Sequence, residues 1–374
     1  MVDVNRLKGS WNEVAALGDQ VPLFFYSTLF LNTPEARTLF PVTMAGQRDK
    51  LVNALGRIVS NVDRLDDLVP FIQQLGREHR KFQAVAEHYP LVGAALLATL
   101  EYFLGPRWTP ELAADWTAAY NLVSKVMIEA ADNAAQDSPP WWEAEVVAHE
   151  RRTLDVSVLT VRPTSRLDYL PGQSVSIQAP AHSRTWRFYS PANAPRADGT
   201  IDFHIRLIDG GVVSPTLVYA TQVGDPVRLA PPVGERLTLD PYNRRDLVLL
   251  AGGTGLAPLK ALVEQVLHTT RLTAHVFMGG RTSSDLYDLA AFQRMEASTD
   301  RLRVYPVVSH ETVYGEKGYV ADAALKRGPW TDHEIYLCGS AEMVSCSLTA
   351  LVKAGIPEER LHVDEFGPNA GDKG

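Results

Sequence analysis

Cysteine is almost absent from this chain, which has only Cys338 and Cys346 among its 374 residues. Structural zinc sites and iron–sulfur clusters usually take about four ligands, so two cysteines do not supply a resident centre of either kind. Basic runs are also missing, and the net charge is −8. This charge balance argues against a nucleic-acid partner.

Long apolar runs are missing as well. No stretch approaches the roughly 20 apolar residues that cross a bilayer. The first residues, MVDVNRLKGSW, lack the apolar core of a signal peptide. We therefore expect no membrane span and a cytoplasmic location.

The pattern of the chain changes twice, which suits a length above the usual domain size of about 100–200 residues. Residues 1–137 show helical periodicity throughout and predict an all-α domain, which ends in the stretch DNAAQDSPPWW. Residues 138–240 contain short alternating runs and predict an antiparallel β-barrel. Residues 241–374 alternate apolar strands with helices, which is typical of a parallel α/β domain.

A glycine-rich turn follows a buried strand in DLVLLAGGTGLAPLKALVEQ (246–265). Gly252, Gly253 and Gly255 let the backbone approach a ligand, and the following helix N-terminus offers free amides to a pyrophosphate. An ordinary tight turn would use the same glycines, so this motif alone leaves both interpretations open. A second turn, YLCGSAEMV (336–344), is expected at the same edge of the sheet, where the two would form a crevice.

The barrel segment contains TWRFYSPAN (185–193), which is predicted to put Arg187 and Tyr189 on one face of a short strand and Ser190 at its end. A cation, a ring and a hydroxyl suit a phosphate, a flat isoalloxazine and its N5 edge. The alternative is an exposed edge strand with an ordinary ion pair.

Three polar side chains, Tyr26, Gln47 and His79, lie on otherwise apolar helical stripes. Burying each without a partner costs about 1–3 kcal/mol, so we expect a common reason. A haem supplies one, with an axial imidazole on one side of the iron and a phenol and an amide on the other. Taken singly, each residue is better explained as a hydrogen-bonded core position, and only the three together favour a haem. The apolar neighbours on these stripes are Leu23 and Phe30, Met44 and Leu51, and Leu75 and Phe82.

Five motifs, in order and at matching separations, resemble the ferredoxin-NADP reductase superfamily: RFYSPAN, GGVVS (210–214), AGGTGLAP, YLCGSAEMV and DEFG (364–367). The resemblance implies FAD and NAD(P)H as cofactors. It implies that FAD is bound by Arg187, Tyr189 and Ser190, with Gly211, Val213 and Ser214 near its pyrophosphate. It implies that NAD(P)H is bound by Gly253, Thr254, Gly255, Cys338, Gly339 and Met343.

Two features of the reductase segment stay open. Phe366 is implied to cover the flavin or nicotinamide face, and either Asp364 or Glu365 could face the flavin. Arg281 and the serines of GGRTSSDLYD could grip a 2′-phosphate or start a helix, so the sequence does not choose between NADH and NADPH.

Three stretches of the helical segment resemble the globin half of flavohaemoglobins: FFYSTLFLNTPEARTLFP, AGQRDKLVNALGRIVSNVDRLDDL and EHRKFQAVAEHYPLVGAALLATL. The resemblance implies a globin domain that binds haem b, with His79 as the proximal iron ligand. It places Tyr26 and Gln47 on the distal side, Phe40 against the porphyrin and Tyr89 on the proximal side.

The helical segment also departs from the family pattern. The loop between Phe40 and Gln47 is shorter than usual, which puts the reach of Gln47 in question. Ala131 aligns with the family's proximal glutamate, and Glu129 and Asp132 are nearby. A rival ligand, His88, is expected in a loop, which is a poor platform for an axial bond.

The combined resemblance implies a nitric oxide dioxygenase. Electrons would pass from NAD(P)H through FAD to haem iron, which binds O2 and oxidises nitric oxide to nitrate. The expected partners are these small molecules, with no obligatory protein partner. One alternative is an FAD-dependent NAD(P)H oxidoreductase that has a haem-free globin-like domain and an external acceptor. Another is a sensor in which haem occupancy regulates partner binding.

Overall fold

The computed structural model describes residues 2–182, 184–310 and 315–366 and divides the chain into two compact units. The first unit extends to Pro140, and its described part is helical. Its helices are α1 (Val4–Ala15), α2 (Gln20–Asn32), α3 (Ala45–Ser60), α4 (Leu65–His79), α5 (His88–Leu104) and α6 (Pro110–Asp137), with 3-10 turns at Pro34–Leu39, Arg80–Phe82 and Gly105–Arg107.

Helix starts in this unit follow the local sequence. Thr109 accepts a hydrogen bond from the Leu112 amide at 3.3 Å just before Pro110, a combination that favours the start of α6. Asp66 and Asp67 lie in the first turn of α4, near the positive end of the helix dipole. Helix α4 carries the candidate iron ligand as its last residue.

The apolar interior of the helical unit consists of two clusters. The larger contains Tyr26, with Phe40 packed against it, and the smaller has Tyr89 packed against residues of α4 and α6. The predicted apolar face of α2 is wrong at Leu23, which is 46% exposed. Helix α2 is apolar on all sides, so periodicity alone did not identify the face that packs inward.

The second unit, from Trp141 onward, begins with an antiparallel sheet in the order β4-β3-β6-β1-β2-β5. A bridge between Pro191 and Phe203 links the two edges, so the sheet nearly closes into a barrel. This confirms the predicted antiparallel barrel. Its elements are β1 (Trp142–Arg151), β2 (Val156–Pro163), β3 (Val175–Gln178), β4 (Arg187–Tyr189), β5 (Ile201–Arg206), the short helix α7 (Val213–Pro215) and β6 (Pro226–Leu229).

A six-stranded sheet follows in the order β10-β9-β8-β7-β11-β12, with every pairing parallel. Helices α8 and α9 cover one face and α10 and α11 the other, as two separate apolar clusters show. The predicted parallel α/β fold is confirmed. Its elements are β7 (Leu247–Gly252), α8 (Leu256–Thr269), β8 (Ala274–Gly280), α9 (Leu289–Ala297), β9 (Leu302–Val308), β10 (Glu316–Lys317), α10 (Val320–Leu325), β11 (Glu334–Ser340), α11 (Ala341–Lys353) and β12 (Leu361–Phe366).

Among the residues that the structure describes, no single helix is long and apolar enough to span a membrane. Helices α1 and α2 pass that test of length and composition only as a pair, and they are bent by 98° at their junction.

Candidate functional sites

His79 is the last residue of α4 and is held by its own helix. Its Nδ1 lies 2.7 Å from the carbonyl oxygen of Leu75, and burial lowers the pKa of the ring, which keeps it neutral. No residue in the described part of the chain makes a hydrogen bond to Nε2. An imidazole fixed through one nitrogen, with the other nitrogen available, has the arrangement of a metal-ligating histidine. The His79 side chain therefore fits an axial ligand of haem iron.

Helix α4 lies directly against α6 because Gly76 has no side chain. A Cβ at Gly76 would collide with the main chain of Met127. The charged neighbours of His79 are not all exposed, since Lys81 is only 7% exposed and its Nζ lies 3.3 Å from Glu78 Oε2. This ion pair could not be predicted from the sequence, because nothing in the periodicity of α4 indicates it.

The side chains of Tyr26 and Gln47 are in contact at the larger apolar cluster of the helical unit. The Gln47 Nε2 donates to the Tyr26 hydroxyl at 3.2 Å, so the shorter loop does not prevent the amide from reaching the phenol. Burial raises the pKa of Tyr26 to about 12, against the opposing effect of the Gln47 bond, so the phenol keeps its proton. The Phe40 ring lies 5.4 Å from the Tyr26 ring, centroid to centroid.

Arg37 organises the loop that carries Phe40. Its guanidinium donates to the carbonyl oxygens of Phe40, Pro41 and Val42 at 3.0–3.1 Å and lies 5.5 Å from the Phe30 ring centroid. Three bonds to consecutive carbonyls give a short loop a defined shape. The role of Arg37 could not be predicted from the sequence, since its acceptors are main-chain atoms that leave no residue pattern.

The proximal side lacks the aligned glutamate, and of its two acidic neighbours Asp132 approaches Tyr89. Burial, with a smaller contribution from the Asp132 charge, raises the pKa of Tyr89. Glu129 instead lies 3.8 Å from Lys125 at the exposed surface. The expectation that His88 lies in a loop is wrong. It is the first residue of α5, and its Nδ1 accepts from the Val85 amide at 3.2 Å.

The RFYS segment is presented at the edge of the barrel. Arg187 and Tyr189 lie on one face of β4, with Arg187 exposed and Tyr189 half-buried. The Ser190 side chain is 4% exposed, and its Oγ lies 3.1 Å from Ser174 Oγ. Since an exposed cation, a ring and a fixed hydroxyl follow one another here, the segment fits the phosphate and ring system of a flavin.

The GGVVS segment forms a tight turn that leads into α7, whose first two residues are Val213 and Ser214. Ser214 Oγ accepts from the Ile208 amide at 3.0 Å, and a Cβ at Gly211 would come within 3.3 Å of that oxygen. The Val213 side chain is buried in the barrel core. The main chain, rather than these side chains, is therefore what this loop offers to a pyrophosphate.

The two glycine turns meet at one edge of the parallel sheet, because β7 and β11 are neighbours. A Cβ at Gly255 would collide with the carbonyl oxygen of Cys338, so the turns are in direct contact. The Met343 sulfur fills the space beside Gly252 and Gly339. This edge matches the predicted crevice, with the turn before α8 available for a dinucleotide.

A cation that no sequence motif indicates lies beside this crevice. Arg206, at the end of β5, bonds through Nε to Asp155 at 2.9 Å, and a Cβ at Gly253 would lie 2.8 Å from its Nη1. Its position would suit the negative charge of a pyrophosphate. Only the folded structure shows this, because Arg206 and Gly253 belong to different sheets.

Strand β12 and the loop after β8 bear on the two features of the reductase segment that the sequence leaves open. Strand alternation puts Asp364 on the face that Phe366 shares, while Glu365 is exposed on the other. The GGRTSSD stretch forms a capping box, in which the Asp285 carboxylate accepts from the amide of Thr282. Of the two interpretations of this stretch, the structure therefore shows the helix start.

Comparison with known proteins gives three family models that match in order: Globin over residues 23–127, an oxidoreductase FAD-binding domain over 142–237 and an oxidoreductase NAD-binding domain over 249–348. A flavohemoprotein of Oceanobacillus iheyensis is 26% identical, with 94% of this chain and 92% of the relative covered. One of Bordetella parapertussis is 28% identical, with 94% of each covered. The crystal structure of a flavohemoglobin from Malassezia yamatoensis, with bound FAD and heme, is 17% identical and has a TM-score of 0.79 over 97% of this chain and 98% of that chain.

The fold and the three matched domains define a globin joined to a reductase that binds FAD and a nicotinamide dinucleotide. The protein is an oxidoreductase, and haem, FAD and NAD(P)H are its cofactors. The similarity to flavohemoproteins extends over 94% of the chain. In its three matched domains and over most of its length, the chain is similar to the flavohaemoglobins.

Proposed function

We propose that this protein is a nitric oxide dioxygenase, which uses NAD(P)H and O2 to convert nitric oxide to nitrate. When bound, FAD would accept a hydride and release its electrons singly, and haem would supply an iron for O2. Nitrate formation needs one electron for each nitric oxide and O2, so one NAD(P)H serves two nitric oxide molecules. A cytoplasmic location, where reduced dinucleotide is available, is part of this proposal.

In the proposed site His79 holds the haem through Nε2. With its proton on Nδ1, the ring donates to the Leu75 carbonyl, which fixes its plane and increases the basicity of Nε2. Phe40 would pack against the macrocycle, and Tyr89 would lie on the His79 side. Asp132 would then be the nearest carboxylate to that side, in the absence of the family glutamate.

The observation that most supports the proposal is the buried pair of Tyr26 and Gln47. The amide donates to the phenol oxygen, and the nearest described acceptor for the phenol proton, the Gln47 carbonyl, is 3.4 Å away. Such a long bond is weak, so the phenol proton is available to O2. A neutral, oriented donor stabilises negative charge that develops on oxygen.

In the reductase, we propose that Arg187, Tyr189 and Ser190 hold the flavin. The turn from Gly253 to Gly255 would hold the dinucleotide, and Arg206 would add a positive charge beside it. The main chain of the GGVVS loop would face the flavin pyrophosphate.

The purified full-length chain tests this function. We expect a Soret band at one haem per chain, reduction of that haem by NADH under argon, and two nitrates per NADH when nitric oxide and air are supplied. A yellow protein that binds no haem after reconstitution would overturn the proposal and leave a reductase with an external acceptor. A protein with haem that consumes NADH without forming nitrate would overturn the assigned substrate alone.

A further inference from the structure

Two partly buried polar contacts join the barrel to the parallel α/β domain. The Tyr287 hydroxyl lies 2.8 Å from His204 Nδ1, and the Ala194 amide donates to Glu264 Oε2 at 3.0 Å. We call these the seam contacts. His204 is 3% exposed, and burial lowers its pKa to about 4, so near neutral pH the ring can accept the tyrosine proton at Nδ1.

On the barrel side, one seam contact ends on Ala194, directly after RFYSPAN (187–193, here called the flavin segment), and the other ends on β5. Pro191 of RFYSPAN pairs with Phe203 of β5, the neighbour of His204. The Ala192 amide donates to the Asp202 carbonyl at 2.7 Å, and Asn193 Oδ1 accepts from the Asp202 amide at 2.7 Å. The flavin segment and β5 are thus held together as one element.

On the sheet side, the Glu264 contact ends on α8, the helix that begins after the glycine turn, and the Tyr287 contact ends just before α9. Glu264 is a residue of α8 and lies one turn beyond Lys260. Lys260 Nζ lies 2.8 Å from Asp288 Oδ2, and the Asp288 side chain is fully buried. Since Asp288 directly follows Tyr287, this ion pair fixes Tyr287 to α8.

Hydride transfer depends on the distance between the nicotinamide and the flavin. The reacting atoms must approach to about 3–3.5 Å, and an error of about 1 Å can cost 100-fold in rate. We propose that Tyr287 and Glu264 are positioning residues for hydride transfer, which fix the dinucleotide turn against the flavin segment through His204 and the Ala194 amide. The proposal rests on the flavin-reduction step of the proposed function and not on its nitric oxide chemistry.

The test uses Tyr287→Phe in the full-length holoprotein. Tyr305→Phe is the matched control, because Tyr305 bonds another histidine, His275, at 3.3 Å between β8 and β9 of the parallel sheet. For Tyr287→Phe we expect an about tenfold slower rate of flavin reduction by NADH at saturation, with the NADH dissociation constant and the flavin content within about twofold of the parent. Tyr305→Phe should leave all three values unchanged.

A second readout does not depend on turnover. The non-reducing analogue 1,4,5,6-tetrahydro-NAD should give a charge-transfer absorbance with oxidised flavin in the parent and in Tyr305→Phe, and a weaker one in Tyr287→Phe. Glu264→Gln keeps an acceptor for the Ala194 amide and should preserve this absorbance, whereas Glu264→Leu should reduce it.

Three results would overturn the proposal. They are an unchanged charge-transfer absorbance in Tyr287→Phe, an equal loss in Tyr305→Phe, or a loss confined to NADH affinity. Parent protein that reduces its flavin but forms no nitrate would remove the proposed function and leave this inference standing.

Discussion

The helical unit and the reductase unit hold their candidate site residues by contacts of different range. In the helical unit, His79 bonds a carbonyl four residues back, and Arg37 bonds carbonyls three to five residues ahead. In the reductase unit, the seam contacts join positions that are 70 and 83 residues apart.

This difference has a physical consequence. A contact within one helix or loop forms when that segment folds, whereas a seam contact forms only after two sheets have folded and docked. We therefore expect the haem site to respond mainly to changes within α2, α3 and α4. We expect the hydride-transfer geometry to respond to changes far from either glycine turn.

The largest expected effect is that of His79→Ala. It removes the only described imidazole nitrogen that fits the iron, so the variant should retain no haem and show no Soret band. His88→Ala is the matched control and should retain haem, because a neutral His88 ring that accepts from the Val85 amide at Nδ1 has its proton on Nε2 and no lone pair there for iron. In both variants NADH should still reduce the flavin, since these changes lie in the other unit. Haem retention in His79→Ala together with its loss in His88→Ala would reverse the ligand assignment.

The next largest effect is a loss of stability at low pH, and it arises from His204 in the reductase unit. Burial lowers the pKa of His204 from 6.5 to about 4. Between these values the unfolded chain binds a proton that the folded chain does not, so stability falls as pH drops through this window. The loss is up to about 3 kcal/mol.

Urea unfolding at a series of pH values measures this loss. His204→Asn is the comparison, because its side-chain oxygen can accept from Tyr287 near the position of Nδ1 but does not titrate. The stability difference between parent and variant should change between pH 6.5 and 4 and be constant above pH 7.5. A pH-independent difference would show that His204 contributes nothing to the acid sensitivity.

The candidate cofactor residues are visible in the sequence. Tyr26, Gln47 and His79 interrupt apolar stripes, and an interruption of a regular pattern is visible without a structure. The reductase motifs were recognisable because their order and spacing match a family. Fold class followed from the same patterns, since the helical, alternating and continuous apolar segments differ over tens of residues.

Residues that position these groups could not be predicted. Arg37 bonds main-chain oxygens, which every residue has. Tyr287 and His204 become partners only when two sheets dock, and nothing in either local sequence indicates the other. The wrong assignment of Leu23 has a related cause, because a helix that is apolar all round shows no preferred face.

A glycine in the helical unit offers a test of long-range packing there. Gly76→Ala places a methyl group against the main chain of Met127, which cannot move without shifting α6. We expect a loss of about 1–3 kcal/mol in stability and weaker haem binding, since α4 carries His79. Gly9→Ala is the control. It lies within α1 with nothing within 4 Å of the new methyl group, so it should stabilise the unit by about 0.5–1 kcal/mol. Equal effects of the two changes would contradict the close approach of α4 and α6.

The smallest expected effect is that of Gln47→Leu, which removes one hydrogen bond from the distal pair. The phenol of Tyr26 loses its amide donor but keeps its proton, so O2 should dissociate roughly fivefold faster, which corresponds to about 1 kcal/mol. Tyr26→Phe removes the donor to O2 itself and should have the larger effect. Gln73→Leu, at an exposed position of α4, should leave the rate unchanged. Laser photolysis and stopped-flow mixing measure these rates on the ferrous protein. If Gln47→Leu released O2 as fast as Tyr26→Phe, the amide rather than the phenol would be the principal donor, and the distal pair would have to be reassigned.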